Sequence, residues 1–201
     1  MTYSLNTLNT SRAEAAQPRP GVARFAHEIA LVLGLVALVF WLLALVSHSA
    51  QDAAWSTTGT GGAIRNWGGR LGAWLADLSY FTLGFSVWWC FAAGVRAWMA
   101  TLARWMRGNA PVPAAQPPRF SRTRTAFWVG LAVLLCASTA LEWSRLYRFE
   151  PRLPGHAGGA LGYLMGPTGV QWLGFTGSGL VFIALTVLGA VLASLITGNY
   201  Y

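Results

Sequence analysis

Residues 68–85 read GGRLGAWLADLSYFTLGF, and residues 158–175 read GGALGYLMGPTGVQWLGF. Seven residues are identical between the two stretches at a constant offset of ninety positions, without a gap. They fall in two separate clusters, one rich in glycine and one apolar, which indicates a duplicated structural unit. We therefore predict two hairpins of one design, with a chance match between glycine- and leucine-rich segments as the alternative.

Four long apolar segments accompany these stretches, at residues 25–46, 77–95, 125–141 and 170–196. The first contains eighteen consecutive uncharged residues, from Ile29 to Val46. At about 1.5 Å per residue, segments of this kind can cross a hydrocarbon core of about 30 Å. We therefore predict an all-α integral membrane protein with four transmembrane helices. The alternative for the first segment is a cleaved secretory signal, but its apolar core exceeds the usual length of about 7 to 15 residues.

The distribution of arginine predicts the orientation, because the chain contains no lysine. Nine arginines lie before the first span or between the second and third spans, and five lie in the two hairpin loops. Positive charge marks the cytoplasmic side, so we predict that both termini and the middle connection are inside. The same bias accounts for the net charge of +8 without nucleic-acid binding.

The segments before the second and fourth spans predict short interfacial helices. Ile64, Trp67, Leu71, Trp74, Leu75 and Leu78 recur at three- and four-residue intervals and so lie on one helical face. An unpaired carboxylate at the membrane centre is costly, so we place Asp77 at the outer boundary, where the crossing begins. Pro167, its counterpart in the second stretch, suits the first turn of a helix. The alternative is that Asp77 is a proton or ion site.

The absence of certain residues excludes several kinds of chemistry. Without lysine the chain cannot contain the phosphate-binding loop of an ATPase or a Schiff-base site. The three histidines show no metal-ligand spacing. Cys90 and Cys136 lie in apolar spans and are expected to behave as small hydrophobic residues. We predict no catalytic residue, no cofactor and no metal site.

Small residues at a spacing of four predict close helix packing, either within the chain or between subunits. One row contains Gly68, Gly72 and Ala76, a second contains Gly158, Gly162 and Gly166, and a third contains Gly189, Ala193 and Thr197. The candidate packing or partner-binding residues are Trp55, Gly68, Gly69, Arg70, Gly72, Asp77, Gly158, Gly159 and Gly162.

The order of these motifs resembles the N-terminal four-helix membrane domain of the FtsK/SpoIIIE bacterial DNA translocases. The resemblance rests on Asp52, on Trp55-Ser56 followed by a glycine run, on residues 66–77 (NWGGRLGAWLAD), and on the later Gly158-Gly159. It covers about residues 25–199, and the block from Trp55 to Asp77 is its most specific part.

The resemblance implies a multi-pass anchor in the bacterial inner membrane at the division septum, which couples chromosome segregation to division. It also implies contacts with the lipid bilayer and other division proteins, and a homo-oligomer, a hexamer through an ATP-driven DNA motor that alone contacts DNA. The sequence stops at Tyr201, just after the fourth span, so we expect a domain cut from a longer protein, with linker and motor missing. A naturally short product is the alternative.

The predicted organisation combines both lines of reasoning. It runs as a disordered cytoplasmic tail (1–24), a first span (25–46), a periplasmic loop with an interfacial helix (47–76), a second span (77–95), a cytoplasmic connection rich in arginine and proline (96–124), a third span (125–141), a periplasmic loop with a short helix (142–169), a fourth span (170–196) and a cytoplasmic end (197–201). The favoured function is a non-enzymatic anchor and interaction module. A small transporter or channel subunit is the alternative, because transporters often contain internal repeats.

Overall fold

The structure is a computed structural model that describes residues 20–107 and 122–194. Every regular element in these ranges is helical: α1 (Pro20–Val46), α2 (Gly69–Leu83), α3 (Val87–Met106), α4 (Arg122–Arg145) and α5 (Gly159–Ser194). Short 3₁₀ turns cover Gly84–Ser86 and Tyr147–Arg152. Four helical segments are long and apolar enough to cross a membrane, which confirms the predicted fold class. The predictions for residues 1–19, 108–121 and 195–201 concern parts outside the described residues.

Helices α1 and α3 run side by side in opposite directions. The rings of Trp41 and Phe91 meet edge to face near the start of α3, with centroids 5.8 Å apart. Further along α3, the indole N–H of Trp98 donates a hydrogen bond to the carbonyl of Leu31 on α1 at 2.9 Å. We call this antiparallel pair, with the segment between its helices, the first hairpin; the arrangement as two repeats of one design stays a prediction.

Among the described residues, the most extensive helix contact is that between α4 and α5. The second half of α5 runs antiparallel to α4 and forms the second helix pair with it. Glycine permits the close approach. A Cβ atom on Gly130 would lie 2.7 Å from the backbone nitrogen of Ala193, and one on Gly189 would lie 2.6 Å from that of Leu134. The third predicted row of small residues therefore packs inside the chain at Gly189 and Ala193, whereas Thr197 is outside the described residues.

Helix α2 lies across the C-terminal end of α1. The indole N–H of Trp41 on α1 donates to the hydroxyl of Ser79 on α2 at 3.2 Å. The hydroxyl of Tyr80 donates to the carbonyl of Leu45, also at 3.2 Å. Because the start of α2 also contacts Ala44, more than two turns of α2 face a short stretch of α1. We use the term loop end for the end of the bundle at which α1 and α4 terminate.

The helix boundaries before the second and fourth spans differ from the predicted ones. Ile64 and Trp67, which were predicted to lie on one helical face with Leu71, precede α2 and belong to the loop. Asp77 lies within the unbroken helix α2, and the chain leaves helical geometry at Gly84, where φ is +57°. In α5 the helix continues past Gly166 and Pro167 and breaks at Gly174, with φ of +68° and ψ of 173°. Helix α3 then has 20 residues, about 30 Å at the standard rise. The exact membrane boundaries stay a prediction.

Several backbone features recur at the ninety-residue offset. Gly69 and Gly159 each begin a helix with positive φ, +63° and +62°. The N–H of Gly69 donates to the carbonyl of Asn66, and that of Gly159 donates to the carbonyl of His156, both at 2.9 Å. Gly84 and Gly174, the two breaks, are also ninety positions apart. A common ancestral unit for the two halves stays a prediction.

Candidate interaction site at the loop end

The first hairpin loop is held in place by the buried carboxylate of Asp52, which is only 4% exposed. Its Oδ1 accepts a hydrogen bond from the backbone N–H of Arg65 at 2.8 Å, and its Oδ2 accepts one from that of Asn66 at 2.9 Å. These bonds connect the two ends of a loop rich in small residues. A carboxylate that accepts backbone N–H bonds replaces much of the hydration that burial removes.

Asp77 attaches the same loop to α2. It is 1% exposed, and its two oxygens accept the backbone N–H and the hydroxyl of Ser56, each at 2.7 Å. The cost of burying this carboxylate is therefore offset by hydrogen bonds from the loop. This geometry explains how an acidic residue is accommodated in the apolar pattern of α2.

Asn66 connects the loop to both neighbouring helices. Its Nδ2 donates to the carbonyl of Ala44 at 2.9 Å, and its Oδ1 accepts the N–H of Gly68 at 2.9 Å. A Cβ atom on Gly72 would overlap the side chain of Asn66. The predicted row that contains Gly68 and Gly72 therefore packs on α1 and on this asparagine.

The corresponding row in the second half packs on α4. A Cβ on Gly158 or on Gly162 would overlap the carbonyl oxygen of Thr139. One turn further along, Gly166 lies against the ring of Trp143. Both glycine rows thus contact helices of the same chain, and a role for these glycines in binding a partner stays a prediction.

The two halves of the chain meet where Gly84 contacts the start of α5. A Cβ on Gly84 would lie 2.7 Å from the backbone nitrogen of Gly158, and one on Gly159 would lie 2.6 Å from the carbonyl carbon of Thr82. Both glycines also have positive φ. These contacts leave no room for a side chain at either position.

Two charged residues at the end of α4, which are not among the predicted site residues, contact the helix breaks. Glu142 accepts the N–H of Phe85 at 2.8 Å and the hydroxyl of Ser86. Arg145 donates to the carbonyl of Phe175, and its guanidinium lies 3.6 Å from the centroid of that ring. Both residues end an apolar segment, so they were counted only as loop charges. The sequence signal for these residues was a pair of opposite charges three positions apart, directly after an apolar segment.

Above this polar framework, bulky side chains of the first loop remain accessible. Trp55 is 54% exposed, although its ring packs edge to face on Phe81 with centroids 5.0 Å apart. Trp67 is 70% exposed, and Arg70 is also exposed. The predicted candidates therefore divide into two groups. Asp77 and most of the glycines build the framework, whereas Trp55, Gly69 and Arg70 lie on its surface.

His48 lies at the base of the loop, next to the ring of Tyr80 at a centroid distance of 5.0 Å. Its Nε2 atom is buried and has no hydrogen-bond partner in the described part of the chain. Burial lowers the pKa of His48 below its usual value, while the nearby carboxylates of Asp77 and Asp52 act in the opposite direction. The loop therefore contains a group that resists protonation.

Comparison with known proteins gives one family match along nearly the whole chain. Residues 23–198 match the family described as the 4TM region of DNA translocase FtsK/SpoIIIE. The chain is 34% identical to DNA translocase FtsK 2 of Ralstonia nicotianae, over 92% of this chain and 23% of that protein. It is 30% identical to DNA translocase FtsK of Pseudomonas aeruginosa, over 90% of this chain and 22% of that protein. No solved structure matches.

The chain therefore spans about a fifth of the length of the curated relatives it matches. It is also 28% identical to DNA translocase FtsK 1 of Neisseria meningitidis serogroup A, over 88% of this chain and 21% of that protein. The match is to the membrane region, and no part of a motor domain is included.

Proposed function

Because the chain belongs to the FtsK/SpoIIIE family and matches its four-transmembrane region, we propose that it anchors a cell-division DNA translocase in the bacterial inner membrane and serves as its interaction module. In this proposal the DNA motor lies in the larger part of the protein, so this region performs no catalysis. Four helices able to cross a membrane support the anchoring role.

The observation that carries the interaction role is the fixed first loop. Asp52 and Asp77 are almost fully buried, and both use their carboxylates to hold loop backbone. A loop that needed only to connect two helices would not require two buried carboxylates, because burying each has a desolvation cost. The framework instead presents Trp55 and Trp67 in a defined position, and exposed tryptophans are typical of protein interfaces.

We propose that the loop end faces the periplasm, where it meets other division proteins. The arginine distribution supports this orientation. In a variant with Cys90 and Cys136 replaced by alanine, single cysteines at Thr58 and Arg148 should react with an impermeant thiol reagent in intact spheroplasts. A cysteine at Ala114 should not react. Labelling at Ala114 alone would reverse the orientation.

Placement at the septum and self-association are tested with the full-length protein. Double replacement of Trp55 and Trp67 by alanine should reduce midcell accumulation of a fluorescent fusion without reducing its insertion. Trp172→Ala is the matched control, because Trp172 is 83% exposed but lies on α5, away from the first loop. Normal midcell accumulation of the double variant, together with unchanged cross-linking between subunits, would contradict the interaction role of the loop.

The alternative of a transporter or channel subunit gains little support from the buried polar residues. Glu142 lies at the loop end, and its carboxylate is occupied by the backbone of Phe85 and the hydroxyl of Ser86. These are bonds within the framework, and they stabilise a helix N-terminus in the way expected of a structural carboxylate.

A further inference from the structure

An open cavity of about 410 Å³ lies at the loop end of the second hairpin. The end of α4, the 3₁₀ turn and the start of α5 form its walls. Its lining residues are Trp143, Tyr147, Glu150, His156, Ala157 and Tyr163. This volume falls within the range of about 300 to 1,000 Å³ that is usual for small-molecule sites.

The lining is aromatic and acidic. Three of its side chains are tryptophan or tyrosine, Glu150 supplies a carboxylate, and none of the lining residues is lysine or arginine. Aromatic faces attract cations through their quadrupole, and aromatic residues combined with a carboxylate are typical of sites for ammonium groups. The chemistry of the lining therefore favours a cation and disfavours an anion.

Contacts among three lining residues, Glu150, His156 and Tyr163, connect the 3₁₀ turn to the start of α5. The Nδ1 atom of His156 lies 2.7 Å from Oε1 of Glu150. The imidazole also stacks on the ring of Tyr163, with centroids 4.9 Å apart and an interplanar angle of 14°. These two contacts hold the side chains of Glu150, His156 and Tyr163 in position.

The position of the cavity indicates where the cation comes from. The apolar segment of α4 ends at Arg145. Of the lining residues, Trp143 lies in the last turn of this segment, and Tyr147 and Glu150 follow just beyond it. This is the level at which tryptophan and tyrosine meet lipid headgroups. The exposed Leu164 follows Tyr163 on the start of α5 and offers apolar surface next to the cavity. Arg148 is exposed in the adjoining turn and provides the charge that a headgroup phosphate requires.

We propose that this cavity binds the ammonium headgroup of an aminophospholipid, such as phosphatidylethanolamine, from the leaflet at the loop end. The ammonium lies between the aromatic rings and the carboxylate of Glu150, and the acyl chains remain in the bilayer. A bound aminophospholipid would fix the second hairpin at a defined depth.

Native mass spectrometry of the full chain tests the proposal. The protein is released from detergent that contains equal amounts of phosphatidylethanolamine and phosphatidylglycerol with the same acyl chains. We expect retention of phosphatidylethanolamine over phosphatidylglycerol by about fivefold to tenfold, consistent with a partly desolvated cation–π site. Glu150→Gln should reduce this ratio to about one, because it removes the negative charge while preserving the shape of the side chain. Glu28→Gln is the control, since Glu28 is an exposed acid that pairs with Arg24 on α1.

A second pair of variants distinguishes the loss of the aromatic ring from a loss of folding. Tyr163→Leu should lower the preference, and Tyr163→Phe should retain it, with the same thermal unfolding temperature in both. Equal retention of the two lipids by the unmodified protein, or an unchanged ratio in Glu150→Gln, would overturn the proposal. Complete displacement of the lipid by millimolar ethanolamine would also overturn it, because the site would then belong to a soluble amine.

Discussion

Glu142 on α4 accepts a hydrogen bond from the backbone N–H of Phe85 at 2.8 Å, and this bond connects the second half of the chain to the helix break of the first half. Phe85 lies in the 3₁₀ turn that leads from the break at Gly84 into α3, and a carboxylate is the favoured group at the start of a helix. Three residues later, Arg145 donates to the carbonyl of Phe175, directly after the break at Gly174. One end of α4 thus stabilises both breaks.

Replacing Glu142 by alanine should lower the free energy of unfolding by about 2 kcal/mol. The part-buried N–H of Phe85 loses this acceptor, and the buried hydroxyl of Ser86 is left with the hydroxyl of Ser138. Thermal or dodecyl-sulfate unfolding in detergent measures the change. Glu28→Ala is the control, since the exposed Glu28–Arg24 pair should contribute only about 0 to 1 kcal/mol. Equal unfolding midpoints for the two variants would contradict the role assigned to Glu142.

Gly69 and Gly159 form a natural pair for separating backbone strain from steric overlap. Both have φ near +60°, but a Cβ on Gly69 meets nothing within 4 Å, whereas one on Gly159 lies 2.6 Å from the carbonyl carbon of Thr82. Gly69→Ala should cost about 1 kcal/mol from left-handed φ alone. Gly159→Ala should cost several kcal/mol more or prevent the two halves from packing.

Equilibrium unfolding of both alanine variants measures this difference. Gly62→Ala is the control, because Gly62 lies in the loop and a Cβ there makes only an ordinary contact at 3.8 Å. Similar losses of stability for Gly69→Ala and Gly159→Ala would indicate that contact between the two halves does not depend on Gly159.

The sequence predicted the helical membrane class, because apolar length is a local signal. It placed Ile64 and Trp67 on the helix before the second span, whereas this helix begins at Gly69. It did not predict the breaks at Gly84 and Gly174. The apolar periodicity of α2 continues through Leu78, and Pro167 suggested a helix start where the structure has a continuous helix. The partners of Asp77 were also missed. Ser56 lies 21 positions away, and only the folded loop brings the two residues together.

Asp77→Ala should loosen the first loop, because the N–H and hydroxyl of Ser56 lose both acceptors. We expect a loss of about 2 kcal/mol in local stability. Hydrogen exchange of the backbone amides at residues 53–66 should accelerate about tenfold or more, while α4 and α5 remain unchanged. Thr57→Ala is the matched loop control, since the hydroxyl of Thr57 donates to the carbonyl of Asp52 at 3.0 Å and not to Asp77. Uniform acceleration over the whole chain would show that Asp77 stabilises the fold in general and not the loop in particular.

His48 makes the stability of the same loop dependent on pH. Burial lowers the pKa of His48 from its usual value of 6.5, against the opposing effect of Asp77 and Asp52. In the unfolded loop the imidazole takes up a proton as the pH falls through about 6.5, whereas in the folded loop it resists protonation. Loop stability is therefore greatest above that pH and decreases as the pH falls towards the folded pKa.

Exchange of amides 53–66 should thus be faster at pH 5.5 than at pH 7.5 after correction for intrinsic rates. His48→Phe, which can still pack on Tyr80, should remove this difference, whereas His27→Phe on the exposed face of α1 should leave it. A pH dependence that survives in His48→Phe would assign the titration to another group.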